Sequence, residues 1–349
     1  MAMYHKEGNV ILSDGSTRDI FLLSLNPGSL VTGGELFELN DGRLLVTAGD
    51  KTYVTSDYRY FENYPAPKEE DGRSNLIRLK DGRVMGIIKE GCENKFKNKL
   101  GACNIYAVFS GDECKTFGNR IPISVNNERL YLMQNRLKRM KNGRILLPMC
   151  LHPDCLLEDT KNFEAAGWMT CFWSDDEGET WELGDWLEAS EVDQLCEPTI
   201  EEMPDGTLKM LARTGKKYLY QSDSTDGGKT WCKEYPTTLR SPVSPYNFAY
   251  DKFSGKYFVA WNDHFPEKTH QMPRTPFRLA VSDDAVHWDT VMTIGSNPDA
   301  SYGYPAFHFS KDEIHLTYYI NSDYNRKWAC NRLHFAAIPR NLDTRLAAK

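Results

Sequence analysis

An arginine, a glutamate and two tyrosines recur at one position of a repeated pattern, where they could bind or act on something charged. Counting nine residues back from the turn residue of each apolar hairpin names Gly33, Arg73, Gln134, Glu197, Tyr246 and Tyr304, with Asn135 and Arg136 beside Gln134. If the hairpins are equivalent, these residues face one axis from the same side. A narrow channel favours small or apolar residues, because an ionisable group there costs free energy unless it pairs or binds a ligand. Arg73 and Glu197 could satisfy each other across such a channel. The far ends of the second strands add Asp50, Lys89, Glu90, His152, Arg213 and Asn262-Asp263-His264 to the same rim.

Two repeated signals define the elements that must hold these residues. The first is a pair of apolar runs around a turn usually built on Asp-Gly or Asn-Gly. It occurs as ELFELNDGRLLVTAG (35–49), NLIRLKDGRVMGII (75–88), RLKRMKNGRILLPM (136–149), TIEEMPDGTLKMLAR (199–213), NFAYDKFSGKYFVAW (247–261) and AFHFSKDEIHLTYYI (306–320). Asp-Gly between β-rich runs is a strong hairpin signal.

The second signal is Ser-x-Asp-x-Gly-x-Thr-Trp, as SDDEGETW (174–181) and STDGGKTW (224–231). Degenerate copies are SGDECKTF (110–117), SDDAVHW (282–288) and a fainter SDYRYF (56–61). Ser and Asp side chains bond the backbone of such a turn, glycine takes its positive-φ position, and the aromatic fills the gap under the next strand. Repetition at this scale means a repeat architecture. The alternation gives about four strands per repeat and about six repeats. The expected fold is all-β, a six-bladed β-propeller in one domain spanning 1–349, with N- and C-terminal strands sharing a blade. Both turn families then lie on one face, and no segment has helical periodicity of useful length.

Composition agrees. A chain of 349 residues is long for one ordinary core but not for a radial repeat. The net charge of −7 is spread without dense runs, which argues against nucleic acid or a membrane surface as partner. The start of the sequence has no apolar leader-like stretch, and the nine cysteines are scattered without a CxxC pair, so a reducing, cytoplasmic setting is expected. Cys150, His152, Asp154 and Cys155 could be read as metal ligands, but their spacing fits no familiar zinc pattern; no metal and no cofactor are expected.

With its Ser-x-Asp turns and six hairpins, the chain resembles the sialidase (neuraminidase) superfamily of six-bladed propellers with Asp-box repeats, over nearly its whole length. The more specific signal is EPTIEEMPDGTLKMLAR (197–213), in which a Glu begins one strand and an Arg ends the next. RTPFRLAVSDD (274–284) looks like the segment bearing a further substrate arginine, and YGYPAF (302–307) like the strand that presents a nucleophilic tyrosine. The resemblance implies an exo-acting glycoside hydrolase on a terminal acidic sugar or glycoconjugate. Tyr304 would attack the anomeric carbon, Glu197 would activate it, and Arg213 and Arg274 would grip the carboxylate. Loss of either arginine should then weaken binding with little effect on the fold.

The sequence departs from the family in two places. The Phe/Tyr-Arg-Ile-Pro motif that opens the first blade of sialidases is replaced by Leu30-Val31-Thr32-Gly33-Gly34-Glu35. Arg73 and Arg136 are the candidates for the third arginine. The acid/base aspartate has no clear match either; Asp50 is nearest in position, with Asp71 and His152 as rivals. A divergent glycosidase or lyase on another acidic glycan, or a carbohydrate-binding propeller without activity, therefore stands beside the sialidase reading.

Overall fold

The computed structural model describes residues 5–25, 34–67, 74–90, 104–125, 130–133, 135–151, 167–189, 195–264, 274–321 and 332–349. Arg73, Gln134, Gly33, Asp71, His152, Asp154 and Cys155 lie outside them. The chain forms two compact units, one of Met1–Pro65 with Thr237–Lys349 and one of Ala66–Pro236. Among the described residues the fold is all-β and propeller-like, and its helix is confined to two short 3-10 turns, Arg340–Leu342 and Thr344–Leu346.

In the unit Ala66–Pro236, each repeat is an antiparallel sheet whose strands follow chain order. One is Ile77–Arg78, Val84–Glu90, Asn104–Ser110 and Gly118–Ser124. The next is Lys138–Arg139, Ile145–Leu151, Trp168–Ser174 and Glu182–Leu183, with Leu130–Tyr131 and Leu187–Glu188 added to it. The third runs Cys196–Glu202, Leu208–Arg213 and Tyr218–Ser224. Between successive sheets lie Met85, Ile87, Ile145, Leu147 and Phe172, then Leu146, Met169, Trp173, Ile200, Leu208 and Met210. Strands apolar on both faces, such as Ile145–Leu151, follow from a sheet that packs on a neighbour at each side.

In the unit formed by Met1–Pro65 and Thr237–Lys349, one sheet is Leu36–Glu38, Leu44–Ala48, Lys51–Thr55 and Glu62–Asn63. Two further sets are Asn247–Asp251, Lys256–Asn262, Phe277–Ser282 and Asp289–Gly295, and Ser301–Phe309, Glu313–Asn321, Arg332–Pro339 and Thr17–Leu25. Thr17–Leu25 pairs with Arg332–Pro339, so N- and C-terminal strands do share a sheet. His5–Leu12 was not expected from the hairpin pattern. It pairs with Thr17–Leu25 on one side and Asp289–Gly295 on the other, fusing the two sets into one nine-stranded sheet. Val10 and Leu12 are buried in the core it completes.

The turns form as their chemistry dictates. Gly42, Gly82, Gly143 and Gly206 all have positive φ, and each donates its N–H to the carbonyl three residues back. In the Ser-x-Asp turn at 174–181, Ser174 Oγ donates to Asp176 Oδ1 at 2.9 Å, while Asp176 accepts from Thr180 N at 2.9 Å and Oγ1 at 2.6 Å. The same set recurs at Ser110, Asp112 and Thr116 and at Ser224, Asp226 and Thr230. In the shorter copy His287 replaces Thr, its Nδ1 2.7 Å from Asp284 Oδ2. The faint copy starts at Thr55 rather than Ser56, since Thr55 Oγ1 donates to Asp57.

Both turn families share a face within the unit Ala66–Pro236. Lys80, in an Asp-Gly turn, donates its N–H to Glu177 Oε2 in a Ser-x-Asp turn at 3.0 Å. Arg139 grips the same carboxylate with two bonds, of 2.6 and 2.8 Å. Glu197 and Arg213 stand toward the opposite ends of these strands.

Candidate active site

Glu197 follows the first residue of Cys196–Glu202, and its φ is +54°, in the left-handed region. The cause is a bulge. Cys196 pairs with Arg213 and Thr199 with Leu211, so Glu197 and Pro198 together oppose the single residue Ala212. Proline suits the second bulge position because it has no N–H to leave unpaired. A left-handed conformation costs a non-glycine residue roughly 1–2 kcal/mol and gathers at functional sites. The bulge turns Glu197 toward Arg213, which ends Leu208–Arg213. Arg213 Nη1 donates to Glu197 Oε1 at 3.0 Å, and both side chains are almost wholly buried. Glu197 N in turn donates to Cys150 Sγ at 3.3 Å. Burial pushes the Cys150 thiol well above its usual range, so it meets this N–H as a neutral acceptor. Cys150 is one of five described cysteines that are free thiols.

Tyr304 repeats the device in the other unit. Gly303 pairs with Tyr319 and Ala306 with Thr317, so Tyr304 and Pro305 oppose the single residue Tyr318, and Tyr304 has φ +48°. Glu197-Pro198 and Tyr304-Pro305 are thus the same X-Pro bulge. Asn247 Nδ2 donates to the Pro305 carbonyl at 2.9 Å and fixes the far side of the bulge. The Tyr304 ring, half-buried, lies 5.5 Å from that of Tyr319.

Arg274 belongs to the same unit as Tyr304 and is 4% exposed. Its backbone is clamped at both ends. The Arg274 N–H donates to Ser301 Oγ at 3.0 Å, and its carbonyl accepts from Tyr302 N at 3.0 Å and Asn262 Nδ2 at 2.7 Å. Its Nη1 donates to the Tyr319 hydroxyl at 2.9 Å.

The other nominated residues are distributed as follows. Arg136 is buried, and its N–H donates to Asn75 Oδ1 at 2.7 Å. Tyr246 is fully buried just before Asn247–Asp251. Asp50 is exposed in the two-residue turn between the paired Ala48 and Lys51. Asp263 is bound by Arg240 and by Arg278, Lys89 Nζ donates to the Leu132 carbonyl, and Glu90 pairs with Arg120, so these three rim residues brace the fold. Sequence reasoning missed Tyr319, whose signal is its place in the strand beside Tyr304. It also missed Asn75, left-handed at φ +52°, and named Asn135, left-handed at φ +57°, only as a neighbour of Gln134. Those two stand seven and eight residues before their turn glycines, whereas Glu197 stands nine before Gly206; Gly33, Arg73 and Gln134, named by the same count, lie outside the described residues.

The matched bulges, one in each unit, stand in a propeller-like fold built of repeated antiparallel sheets. The chain belongs to the BNR repeat-like domain family, which its residues 69–316 match, and with it to the sialidase superfamily. A stretch of 214 residues is 34% identical to the anhydrosialidase of Macrobdella decora, covering 56% of this chain and 25% of that protein. The chain therefore matches about a quarter of that relative's length. Among solved structures, a Hadza microbial sialidase superposes with a TM-score of 0.67 at 15% identity, over 94% of this chain and 70% of that one. The Trypanosoma rangeli sialidase, solved with 2,3-difluorosialic acid as a covalent intermediate, gives 0.64 at 14% identity, over 93% and 56%. At such identities these two likenesses establish the fold.

Proposed function

We propose that the protein is an exo-acting glycoside hydrolase of the sialidase type, releasing a terminal sialic acid or a related acidic sugar from a glycoconjugate. The observation that carries this reading is the matched X-Pro bulge, which holds Glu197 and Tyr304 left-handed in a chain of the sialidase superfamily. On this reading the five sheets make six blades of one domain, the nine-stranded sheet supplying two.

A 2-keto sugar acid carries its carboxylate on the anomeric carbon, and that charge repels an anionic nucleophile. A neutral tyrosine deprotonated by a neighbouring glutamate avoids the repulsion. Tyr304 attacks the anomeric carbon as Glu197 takes its proton, and the glycosidic bond breaks with the leaving oxygen protonated by an acid. Water then releases the sugar from Tyr304. Arg274 and Arg213 bind the substrate carboxylate through charge-assisted bonds, with Arg73 or Arg136 as third cation. Asp50 is the carboxyl group nearest in chain position to serve as the acid. The covalent intermediate of the Trypanosoma rangeli sialidase is the chemical precedent for the covalent step.

A second reading, a glycosidase for another acidic glycan, is favoured by one observation. The Ala48–Lys51 connection that carries Asp50 is a two-residue turn, which differs from the early loop on which the family resemblance implies the acid. Hydrolysis of 4-methylumbelliferyl sialic acid beside other acidic 4-methylumbelliferyl glycosides separates the readings. Turnover of the sialoside supports the first and turnover of a uronide alone the second. No turnover with retained binding of an acidic sugar leaves a binding protein.

A further inference from the structure

We infer that Tyr319 is a positioning residue for this site, setting the guanidinium of Arg274 and thereby the affinity for the substrate carboxylate. The inference rests on the glycosidase reading above and adds a residue to it.

Tyr319 is 3% exposed, in Glu313–Asn321, directly opposite Gly303. Strand alternation gives it a different environment from its neighbour. Tyr318 packs its ring on Phe277 at 5.1 Å and on Tyr302 at 6.3 Å, within the apolar core. Tyr319 turns the other way, toward Tyr304 and Arg274. Its hydroxyl accepts from Arg274 Nη1 at 2.9 Å, and its ring lies 5.5 Å from that of Tyr304 at an angle of 39°.

Gly303 makes this seating possible. A Cβ there would meet Tyr319 Cε1 and the Tyr319 hydroxyl at 3.1 Å each, and Pro245 Cγ at 3.0 Å. The ring therefore fills the space that a side chain at position 303 would need, just before the Tyr304 bulge. Because Ser301, Tyr302 and Asn262 already fix the Arg274 backbone, the freedom left to this residue is in its side chain. The Tyr319 hydroxyl restricts that freedom. It is also a neutral partner, so it orients the guanidinium without cancelling its charge. A carboxylate in its place would compete with the substrate's own.

The test is steady-state kinetics on the acidic glycoside that the unaltered protein hydrolyses. Tyr319→Phe keeps the ring and removes the hydroxyl. KM should rise roughly tenfold to a hundredfold, the range for a hydrogen bond to a charged group, while kcat stays near that of the unaltered protein. In an Arg274→Ala background the same change should add nothing to KM, because the two residues act as one unit. Tyr318→Phe, which removes a core hydroxyl, is the control and should leave KM where it was. An unchanged KM for Tyr319→Phe would overturn the inference while leaving the glycosidase reading intact, as would a full additional loss in the Arg274→Ala background. If the unaltered protein turns over no acidic glycoside, the glycosidase reading falls and the inference falls with it.

Discussion

Arg213 and Glu197 form a buried ion pair across the mouth of one hairpin, Nη1 to Oε1 at 3.0 Å, each side chain keeping 11% of its surface in solvent. The pair spans the bulge at Glu197-Pro198, where Cys196 rather than Glu197 stands opposite Arg213. A carboxylate held this way is ordered before any ligand arrives.

The pair changes what loss of Arg213 should do. On family resemblance the arginine is a substrate ligand whose removal spares the fold. Removing one partner of a buried pair takes a counter-charge from the other, at a cost of up to about 3–5 kcal/mol. Arg213→Ala should therefore lower stability in urea denaturation as well as binding. Glu197→Gln, which keeps a polar partner for Arg213, should cost clearly less. Equal stability of Arg213→Ala and the unaltered protein would mean that the pair contributes nothing to folding.

The turn face predicts an acid limb to stability. Two bonds from Arg139, helped by Lys80 and opposed by burial, hold the Glu177 carboxyl at about 2, against an ordinary 4.5. Glu313 is also held at about 2: burial alone would raise it, but His315 and Arg59 outweigh that. A carboxylate with a depressed folded-state pKa gives stability that is complete above its ordinary pKa and is lost as pH falls through the folded value. Stability should thus drop between pH 4.5 and 2. Glu177→Gln should lower stability at pH 7 and flatten that limb; an unchanged limb would remove Glu177 from the account.

Gly303→Ala should act on the site through packing. The added methyl group displaces the Tyr319 ring or Pro245, both in close contact with position 303. Overpacking of this kind costs about 1–3 kcal/mol. KM for an acidic glycoside should rise with the loss of the Arg274–Tyr319 bond. A stability loss without any change in KM would show that Pro245, not Tyr319, gives way.

Local chemistry was the most legible part of this chain. Asp-Gly and Ser-x-Asp turns are specified by side chains within four residues of each other, so the sequence names them and the structure repeats their bonds. Glu197 and Tyr304 were legible because their bulges sit at the same distance from the turn. The left-handed conformation of Asn75 and Asn135 was not, because these residues stand one or two positions nearer the turn and nothing local marks the shift. Tyr246 was counted from Gly255, but that hairpin has a four-residue loop between Asp251 and Lys256, which moves the register. Tyr319 was hidden for another reason. In HLTYYI, at residues 315–320, alternation shows that two adjacent tyrosines face opposite ways but not which of them meets an arginine distant in sequence.

The central claim, that Tyr304 is the nucleophile activated by Glu197, is tested most directly by turnover of Tyr304→Phe on the acidic glycoside that the unaltered protein hydrolyses. The change removes the attacking oxygen and keeps the ring beside Tyr319, so fold and substrate binding should survive. Turnover should fall by roughly a thousandfold or more, with Glu197→Gln costing a similar factor and the double change little beyond either. Near-normal turnover by Tyr304→Phe would contradict the claim and assign the chemistry to a carboxylate.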